Sequence, residues 1–382
     1  MRNRVLLSSF MMLFLLHGVA YSQSASVNTK HLNNMLPHSP EATAMANYTA
    51  LPVSLYTGLP EISIPIFEIK GKSLKLPISL SYHYNGFKPA EVASSAGLGW
   101  NVQGGGVITR MIKGRVDHED FHVTGNDYDD YASMDVMLYN KQEKLKLMAD
   151  GMADGEPDIF VFNCNGLSGK FILIKGKAYT FPYQDIRIDG NVYIGFTITS
   201  TSGDTYYFGE PETTHHHQLV NTPYVPDHAS AWYLTRIVSA DKADTINYAY
   251  NSYDYHQLPV YGNTYTINTS DGNVNGGDQQ SWSESYSSDD RITDAKQLSS
   301  ISYKNTYINF FQGNEPRRDL FFRDSSLYPL ESISVVSADA GTYRSFRLKH
   351  AYFNAKLNLT GVDVFGSTED SSSMQRYRFE YE

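Results

Sequence analysis

The stretch "AGLGWNVQGGGVITR" (residues 96–110) gathers glycines around one tryptophan and then continues as a strand-like run. A dinucleotide-binding loop needs G-x-G-x-x-G, but Val102 stands where the third glycine after Gly97 and Gly99 belongs. No helix pattern follows to present an amino-terminal end to an anion. Glycines beside a strand usually mark bulges or close backbone approach. We therefore expect Trp100 to pack under a glycine-lined bend, with sugar stacking by Trp100 as the competing interpretation.

Most of the remaining sequence predicts antiparallel strands. "ISLSYHYNG" (78–86) alternates apolar and polar side chains and ends in an Asn-Gly turn signal. "FEIKGKSLKLPISL" (67–80) and "FILIKGKAYTF" (171–181) each predict a hairpin with a Lys-Gly-Lys tip. "RIDGNVYIGFTITSTSGDTYYF" (187–208) predicts two hairpins that turn at Asp189-Gly190 and around Ser202-Gly203-Asp204. The pattern is all-β, because strands do not alternate with helices as they do in α/β proteins.

One segment departs from the strand pattern. Apolar residues between 131 and 149 recur at near-helical spacing, as Met134, Leu138, Leu145 and Met148 do. We therefore expect an all-β fold of hairpins in an extended, shell-like sheet, with at most one short helix. The expected organisation is a signal peptide at 1–22, a polar N-terminal arm at 23–48, a first β-region at 49–209, a loop at 210–230, and a second β-region at 231–382 that contains a long polar loop at 262–297. Alternation in "RYRFEYE" (376–382) continues to the last residue, which suggests an incomplete C-terminus.

The amino-terminal residues indicate export. Arg2 and Arg4 precede a largely apolar run, and Ala20-Tyr21-Ser22 offers a cleavage site. The expected location is the periplasm, the cell surface or the outside of a Gram-negative bacterium, with no transmembrane segment after cleavage. A net charge of −10 over 382 residues argues against a nucleic-acid partner, since binding phosphate backbones needs a basic face. Cys164 is the sole cysteine, so no internal disulfide forms, and its alternation with two phenylalanines predicts a buried side chain.

A zinc-peptidase pattern occurs in "HEDFHVTG" (118–125). His118, Glu119 and His122 match H-E-x-x-H, in which two imidazoles on one helix face bind zinc and the glutamate activates water. Nearby glycines and β-branched residues disfavour that helix. A polar solvated loop is therefore the favoured interpretation, with a zinc site as the alternative.

A calcium-loop pattern begins at "DGNVNGGD" (271–278). Asp271, Asn273 and Asn275 occupy ligand positions of a calcium-binding loop, and either Asp278 or Glu284 is a candidate for the remaining carboxylate ligand. The twelfth position holds Trp282, so the usual bidentate glutamate is missing. A loop without metal is again favoured, and no cofactor is expected.

Several separated motifs resemble one protein family. These are Gly97-Leu98-Gly99-Trp100, Ile108-Thr109-Arg110 and Gly114, with support from "EPDIFVFNCNGLSGKF" (156–171) and "AWYLTRI" (231–237). Over roughly residues 50–250 the chain resembles the N-terminal region of bacterial exported Rhs/YD-repeat proteins, and is similar to the B-type proteins of toxin complexes and virulence plasmids. The resemblance implies a sheet that winds into a shell around a C-terminal toxin or cargo domain. It makes Gly97, Gly99, Trp100, Arg110 and Gly114 structural residues, and downstream Rhs/YD-repeat segments or the cargo the partners.

Three functional interpretations follow. The favoured one is a non-enzymatic structural module of an exported Rhs/YD-repeat-like protein. The second is a cell-surface adhesin or glycan-binding module that uses exposed tyrosines and the 262–297 segment. The third is a zinc metallopeptidase centred on His118. The first is preferred because it accounts for the motifs and the strand pattern together.

Overall fold

A computed structural model describes residues 39, 41, 62–83, 91–113, 116–117, 156–220, 227–256, 260–269, 280–320, 327–339, 341–367 and 375–381. These residues are nearly all β, as the sequence predicts. The described part of the chain contains no helix long and apolar enough to cross a membrane. The helix predicted within 131–149 and the predicted signal peptide lie outside the described residues.

Nineteen strands and one 3-10 turn (Arg318–Leu320) form the described structure. All of the strands belong to one compact unit, Met35–Glu382. The strands are β1 (Ile62–Lys70), β2 (Lys75–Tyr82), β3 (Trp100–Gln103), β4 (Gly106–Met111), β5 (Ile159–Cys164), β6 (Leu167–Ile174), β7 (Lys177–Thr180), β8 (Arg187–Asn191), β9 (Gly195–Thr199), β10 (Thr205–Val220), β11 (His228–Val238), β12 (Thr245–His256), β13 (Val260–Thr269), β14 (Gln280–Tyr303), β15 (Thr306–Gln312), β16 (Leu330–Ser337), β17 (Gly341–Phe353), β18 (Lys356–Phe365) and β19 (Gln375–Arg378).

The small sheet contains β1, β2 and β3 in antiparallel order. Its apolar side chains alternate along each strand, and a register shift between Pro65 and Phe67 changes the spacing in β1. The large sheet contributes Ile108, Ile301 and Ile333 to the same hydrophobic cluster, so the small sheet packs on the large one. The side chains that β1 and β2 bury in this cluster are Ile64, Ile66, Ile69, Leu76, Ile78 and Leu80.

The large sheet joins the sixteen other described strands. Its main path runs β19-β18-β17-β16-β15-β14-β10-β11-β4-β5-β6-β7, and β8, β9, β12 and β13 pair beside this path. The longest strand, β14, has 24 residues and pairs with β10, β12, β13 and β15. Because β4 pairs with β11, strands of both predicted β-regions share this sheet.

Part of the large sheet curls so that distant strands meet through their aromatic side chains. Phe171 of β6 and Phe196 of β9 have ring centroids 5.5 Å apart, although β5, β4, β11 and β10 separate these strands in the sheet order. Trp232 lies 4.9 Å from Phe196, and Phe160 lies 5.0 Å from Phe171. Their edge-to-face and stacked contacts fill the inside of the curl with buried aromatic surface.

The predicted loop at 210–230 is wrong for most of its length. Strand β10 extends to Val220, and β11 begins at His228. Prolines and histidines suggested a loop, but Glu212 and Thr214 are fully buried and hydrogen-bonded inside the sheet. A strand whose inward side chains are polar lacks the aliphatic alternation that marks strands in sequence.

The predicted long loop at 262–297 is also wrong over its described residues, which are 262–269 and 280–297. Strands β13 and β14 pair there in an unbroken register from Val260 with Asp289 to Thr269 with Gln280. In "SWSESYS" (281–287) serines alternate with larger side chains, which is a period-two strand pattern without aliphatic residues.

One hairpin turns three residues later than predicted. Gly190 lies within β8, and the chain reverses between Asn191 and Gly195. The Asn191 carboxamide oxygen accepts hydrogen bonds from the backbone N–H groups of Tyr193 (2.9 Å) and Ile194 (3.1 Å), which fixes the turn. Ile194 is consequently 76% exposed and does not face the core. The turn at Gly203 and both Lys-Gly-Lys hairpins are confirmed.

Candidate functional site

The glycine-tryptophan segment (residues 94–100) folds into a compact turn held by its own first side chain. The Ser94 hydroxyl donates to the Trp100 carbonyl (2.5 Å) and accepts from the Ala96 N–H (3.1 Å). The Gly97 N–H donates to the Ser94 carbonyl (3.1 Å). Gly97 and Gly99 have φ values of +121° and +74°, which L side chains rarely adopt.

This turn docks against β18 at backbone distance. The Leu98 N–H donates to the Leu357 carbonyl (2.8 Å), and a Cβ atom on Gly97 would stand 2.7 Å from the Leu359 nitrogen. His350 Nε2 lies 3.2 Å from the Ala96 carbonyl. Burial lowers the pKa of His350 to about 4, so the neutral ring donates this hydrogen bond at pH 7.

Trp100 joins the small sheet to the last described residues of the chain. Its side chain is 1% exposed, with ring centroids of Tyr82 at 5.2 Å and Phe379 at 4.6 Å. Trp100 Nε1 donates to the Tyr381 hydroxyl (2.9 Å), which donates to the Leu359 carbonyl (2.5 Å). The indole is thus enclosed by protein groups and presents no free face for a sugar, contrary to the sugar-stacking alternative.

Arg110 forms a buried ion pair between β4 and the residues before β5. Arg110 Nε donates to Asp158 Oδ2 (2.6 Å), and both side chains are at most 1% exposed. The Asp158 carboxylate also accepts the N–H groups of Lys113 (2.8 Å) and Asp117 (3.1 Å). Arg110 Nη2 donates to the Asp117 carbonyl (2.6 Å). Both charges therefore have several partners, as buried charges require.

A second buried cluster, here called the polar seat, consists of Ser39, Glu212, Ser230 and Tyr233. Glu212 is fully buried, and its carboxyl oxygens accept hydrogen bonds from Ser230 Oγ (3.0 Å) and the Tyr233 hydroxyl (3.0 Å). The side chain of Ser39 also bonds to Glu212. Burial raises the pKa of Glu212 to about 7, despite these hydrogen bonds.

A cavity of about 30 Å³ adjoins the polar seat at Tyr233. Its polar lining includes Glu41, Asn101, Lys296 and Gln312. Glu41 accepts a hydrogen bond from the Ser95 N–H, and burial raises the pKa of Glu41. The space accommodates about two water molecules. This cavity is therefore large enough for water but too small for a substrate, since substrate clefts typically measure several hundred Å³.

The predicted metal sites stay predictions. His118, Glu119 and His122 lie outside the described residues, as do Gly114 and four of the calcium candidates. Among residues that the structure does describe, no group of three or more His, Cys, Asp or Glu side chains is placed to hold a metal ion. These four calcium candidates are Asp271, Asn273, Asn275 and Asp278.

Sequence reasoning missed the polar seat and the partners of the glycine-tryptophan segment. Ser39 and Tyr233 are 194 positions apart, and Trp100 and Tyr381 are 281 apart, so no local pattern links them. Glu212 is the one residue that could have indicated the polar seat. It is a carboxylate that lies within a strand, β10, beside threonine and histidine residues.

Comparisons with known proteins give structural likeness at low identity. No protein-family model matches the chain, and no curated protein matches it. The chain is similar to the crystal structure of TcdB2-TccC3 at 11% identity and a TM-score of 0.39, with 82% of this chain and 16% of that one covered. It is similar to the N-terminal domain of the effector protein SpvB from Salmonella typhimurium strain LT2 at 10% identity and a TM-score of 0.38, with 84% and 99% covered. Likeness of this degree transfers no residue role to this chain.

Gly97→Ala tests the close approach of the glycine-tryptophan segment to β18. We expect the free energy of unfolding to fall by about 2–5 kcal/mol, because the new methyl group adds strain at positive φ and overlaps the Leu359 backbone. Gly176→Ala is the matched control, since Gly176 has a φ of +70° but open space around it. The control should cost about 1 kcal/mol. Urea unfolding measures both, and equal losses would show that backbone strain alone matters.

Asp158→Asn tests the buried ion pair. We expect a loss of about 3–5 kcal/mol in the free energy of unfolding, because Arg110 would keep a buried charge without its counter-charge. The control is Asp189→Asn, which breaks the Arg187–Asp189 pair whose side chains are 76% and 51% exposed. That change should cost under about 1 kcal/mol. A loss at Asp158 no larger than at Asp189 would contradict a structural role for Arg110.

Proposed function

We propose that this chain is a non-enzymatic structural module of an exported Rhs/YD-repeat-like protein and contributes to a β-shell around a toxin or cargo domain. The supporting observation is the set of contacts made by the residues on which the family resemblance rests. Gly97, Leu98 and Trp100 bind the small sheet to β18 and to Tyr381. The motif therefore connects the small sheet to the large antiparallel sheet.

The edge of β19 offers the place for a further strand. β19 lies at one end of the sheet order, and all four of its residues are exposed. The Phe379 N–H donates to the Thr360 carbonyl, so by alternation the N–H groups of Arg376 and Arg378 point away from β18. An edge with outward donors is a template for strand pairing. In the proposed function a downstream Rhs/YD-repeat segment pairs here.

Arg376→Pro tests strand addition at β19. Proline removes an outward N–H and leaves the hydrogen bonds to β18, while Arg376→Ala removes the same side chain but keeps the donor. The whole gene product and both variants are compared by limited proteolysis with mass spectrometry. We expect sequence beyond residue 382 to resist protease in the wild type and the alanine variant, and to lose that resistance in the proline variant.

Two outcomes would contradict the proposed shell. One is equal protease resistance in the alanine and proline variants. The other is a gene product that ends at Glu382 and stays monomeric with β19 uncovered. Because neither change touches the hydrophobic cores, unfolding midpoints of the two variants serve as the control for correct folding.

Two exposed tyrosines are the observation behind glycan binding as a second candidate function. Tyr183 is 83% exposed and Tyr193 is 62% exposed, so each ring offers a face on which a sugar could stack. If these tyrosines bind glycans, Tyr183→Ala should abolish the signal on a glycan array, because the ring supplies the stacking face. Tyr343→Ala, at a site that is 60% exposed on β17, should leave the signal unchanged. Absence of any array signal for the wild type would reject this candidate.

A further inference from the structure

Two residues of the predicted N-terminal arm, Ser39 and Glu41, contact the strands and turns of the fold. Ser39 is fully buried, and its hydroxyl lies 3.2 Å from the Tyr233 hydroxyl. Both the backbone and the side chain of Ser39 hydrogen-bond to Glu212. Glu41 accepts a hydrogen bond from the Ser95 N–H, in the turn that precedes Trp100. Ser39 thus contacts β10 and β11, and Glu41 contacts the glycine-tryptophan segment.

The donors to Glu212 carry no positive charge. They are the hydroxyl groups of Ser230, Tyr233 and Ser39, with the Ser39 N–H. Neutral donors compensate only part of the cost of burying a carboxylate, so its ionisation inside the protein is unfavourable. Ser39 is one of the groups that enclose this carboxyl, which is fully buried.

Other titratable groups face the polar seat from each neighbouring element. Tyr255 of β12 interacts electrostatically with Glu212, and Glu41 of the arm interacts with Tyr233. Arg317 lies near Glu41 and Tyr255 and pairs with Asp319 at 2.7 Å. Along β10 and β11, beyond Thr214, the rings of His216 and His228 stack at 5.4 Å.

We infer that the polar seat is a pH-responsive lock, which holds the arm residues Ser39 and Glu41 in place at mildly acidic pH and releases them as the pH rises above neutral. The occupant is a segment of this same chain, and the interaction is made by two side chains and one backbone N–H.

The direction of the pH dependence follows from the raised pKa of Glu212. Its value of about 7 in the folded protein exceeds the ordinary 4.5. The stabilisation is therefore complete below pH 4.5 and is lost as the pH rises through 7. When the arm leaves, water reaches the carboxyl and its pKa returns toward the ordinary value. Ionisation thus favours the released arm.

Hydrogen exchange of the full chain tests the lock. Protection of the peptide that contains Ser39 and Glu41 is measured at pH 5.5 and pH 8 by mass spectrometry and corrected for intrinsic exchange. We expect protection to fall on the order of tenfold across this interval. Glu212→Gln, which cannot ionise, should keep similar protection at both values. Glu210→Gln, at a partly exposed carboxylate on the same strand, should behave as the wild type does.

Ser39→Ala keeps the test decisive if Glu212→Gln does not fold. This variant removes one arm contact and leaves the carboxyl in place, so we expect weaker protection of the arm peptide at pH 5.5. The lock is rejected if wild-type protection is the same at both pH values, if Glu212→Gln retains the pH dependence, or if Ser39→Ala leaves protection unchanged.

Discussion

The approach of Gly97 and Leu98 to the backbone of β18 is the contact on which the arrangement of the two sheets depends. A hydrogen bond of 2.8 Å between the Leu98 N–H and the Leu357 carbonyl brings two main chains together without an intervening side chain. Only glycine fits at 97, where a Cβ would meet the Leu359 nitrogen at 2.7 Å. This approach places Trp100 within reach of Phe379, and the small sheet covers the apolar face of the large one.

A second contact holds the opposite end of the small sheet. At the tip between β1 and β2, the N–H groups of Ser73 (2.6 Å) and Leu74 (3.1 Å) donate to Asp244 Oδ2, and the Tyr303 hydroxyl donates to Asp244 Oδ1 (2.7 Å). These hydrogen bonds lower the pKa of Asp244 well below its usual value. Gly71 leaves room for this carboxylate, since a Cβ there would overlap Asp244 Oδ2. Glycine therefore permits docking at both ends of the small sheet.

The sequence predicts those parts of the fold whose cause is local. Alternation and Lys-Gly-Lys tips identify the β1–β2 and β6–β7 hairpins, because apolar side chains fall on one face and glycine closes the turn. The pattern fails in β10 and β14, where inward positions such as Glu212 and Thr293 are polar. The polar seat was not predictable either, since Ser39 and Tyr233 meet only through the tertiary fold.

Polar groups and aromatic groups have different roles within this one core. The aromatic cluster around Phe196 and Trp232 contributes stability through its buried apolar area. Phenylalanine and tryptophan side chains do not titrate, so this contribution does not depend on pH. Arg110 and Asp158 are buried as a charge pair, so the net charge between them is zero and their geometry specifies how β4 meets β5. Glu212 differs from both, because its donors are neutral and its burial favours the protonated acid. A core with a carboxyl of this kind is less stable at alkaline pH than an apolar one would be. That sensitivity is located at the contacts of Ser39 with Glu212 and Tyr233, two residues of neighbouring strands in the large sheet.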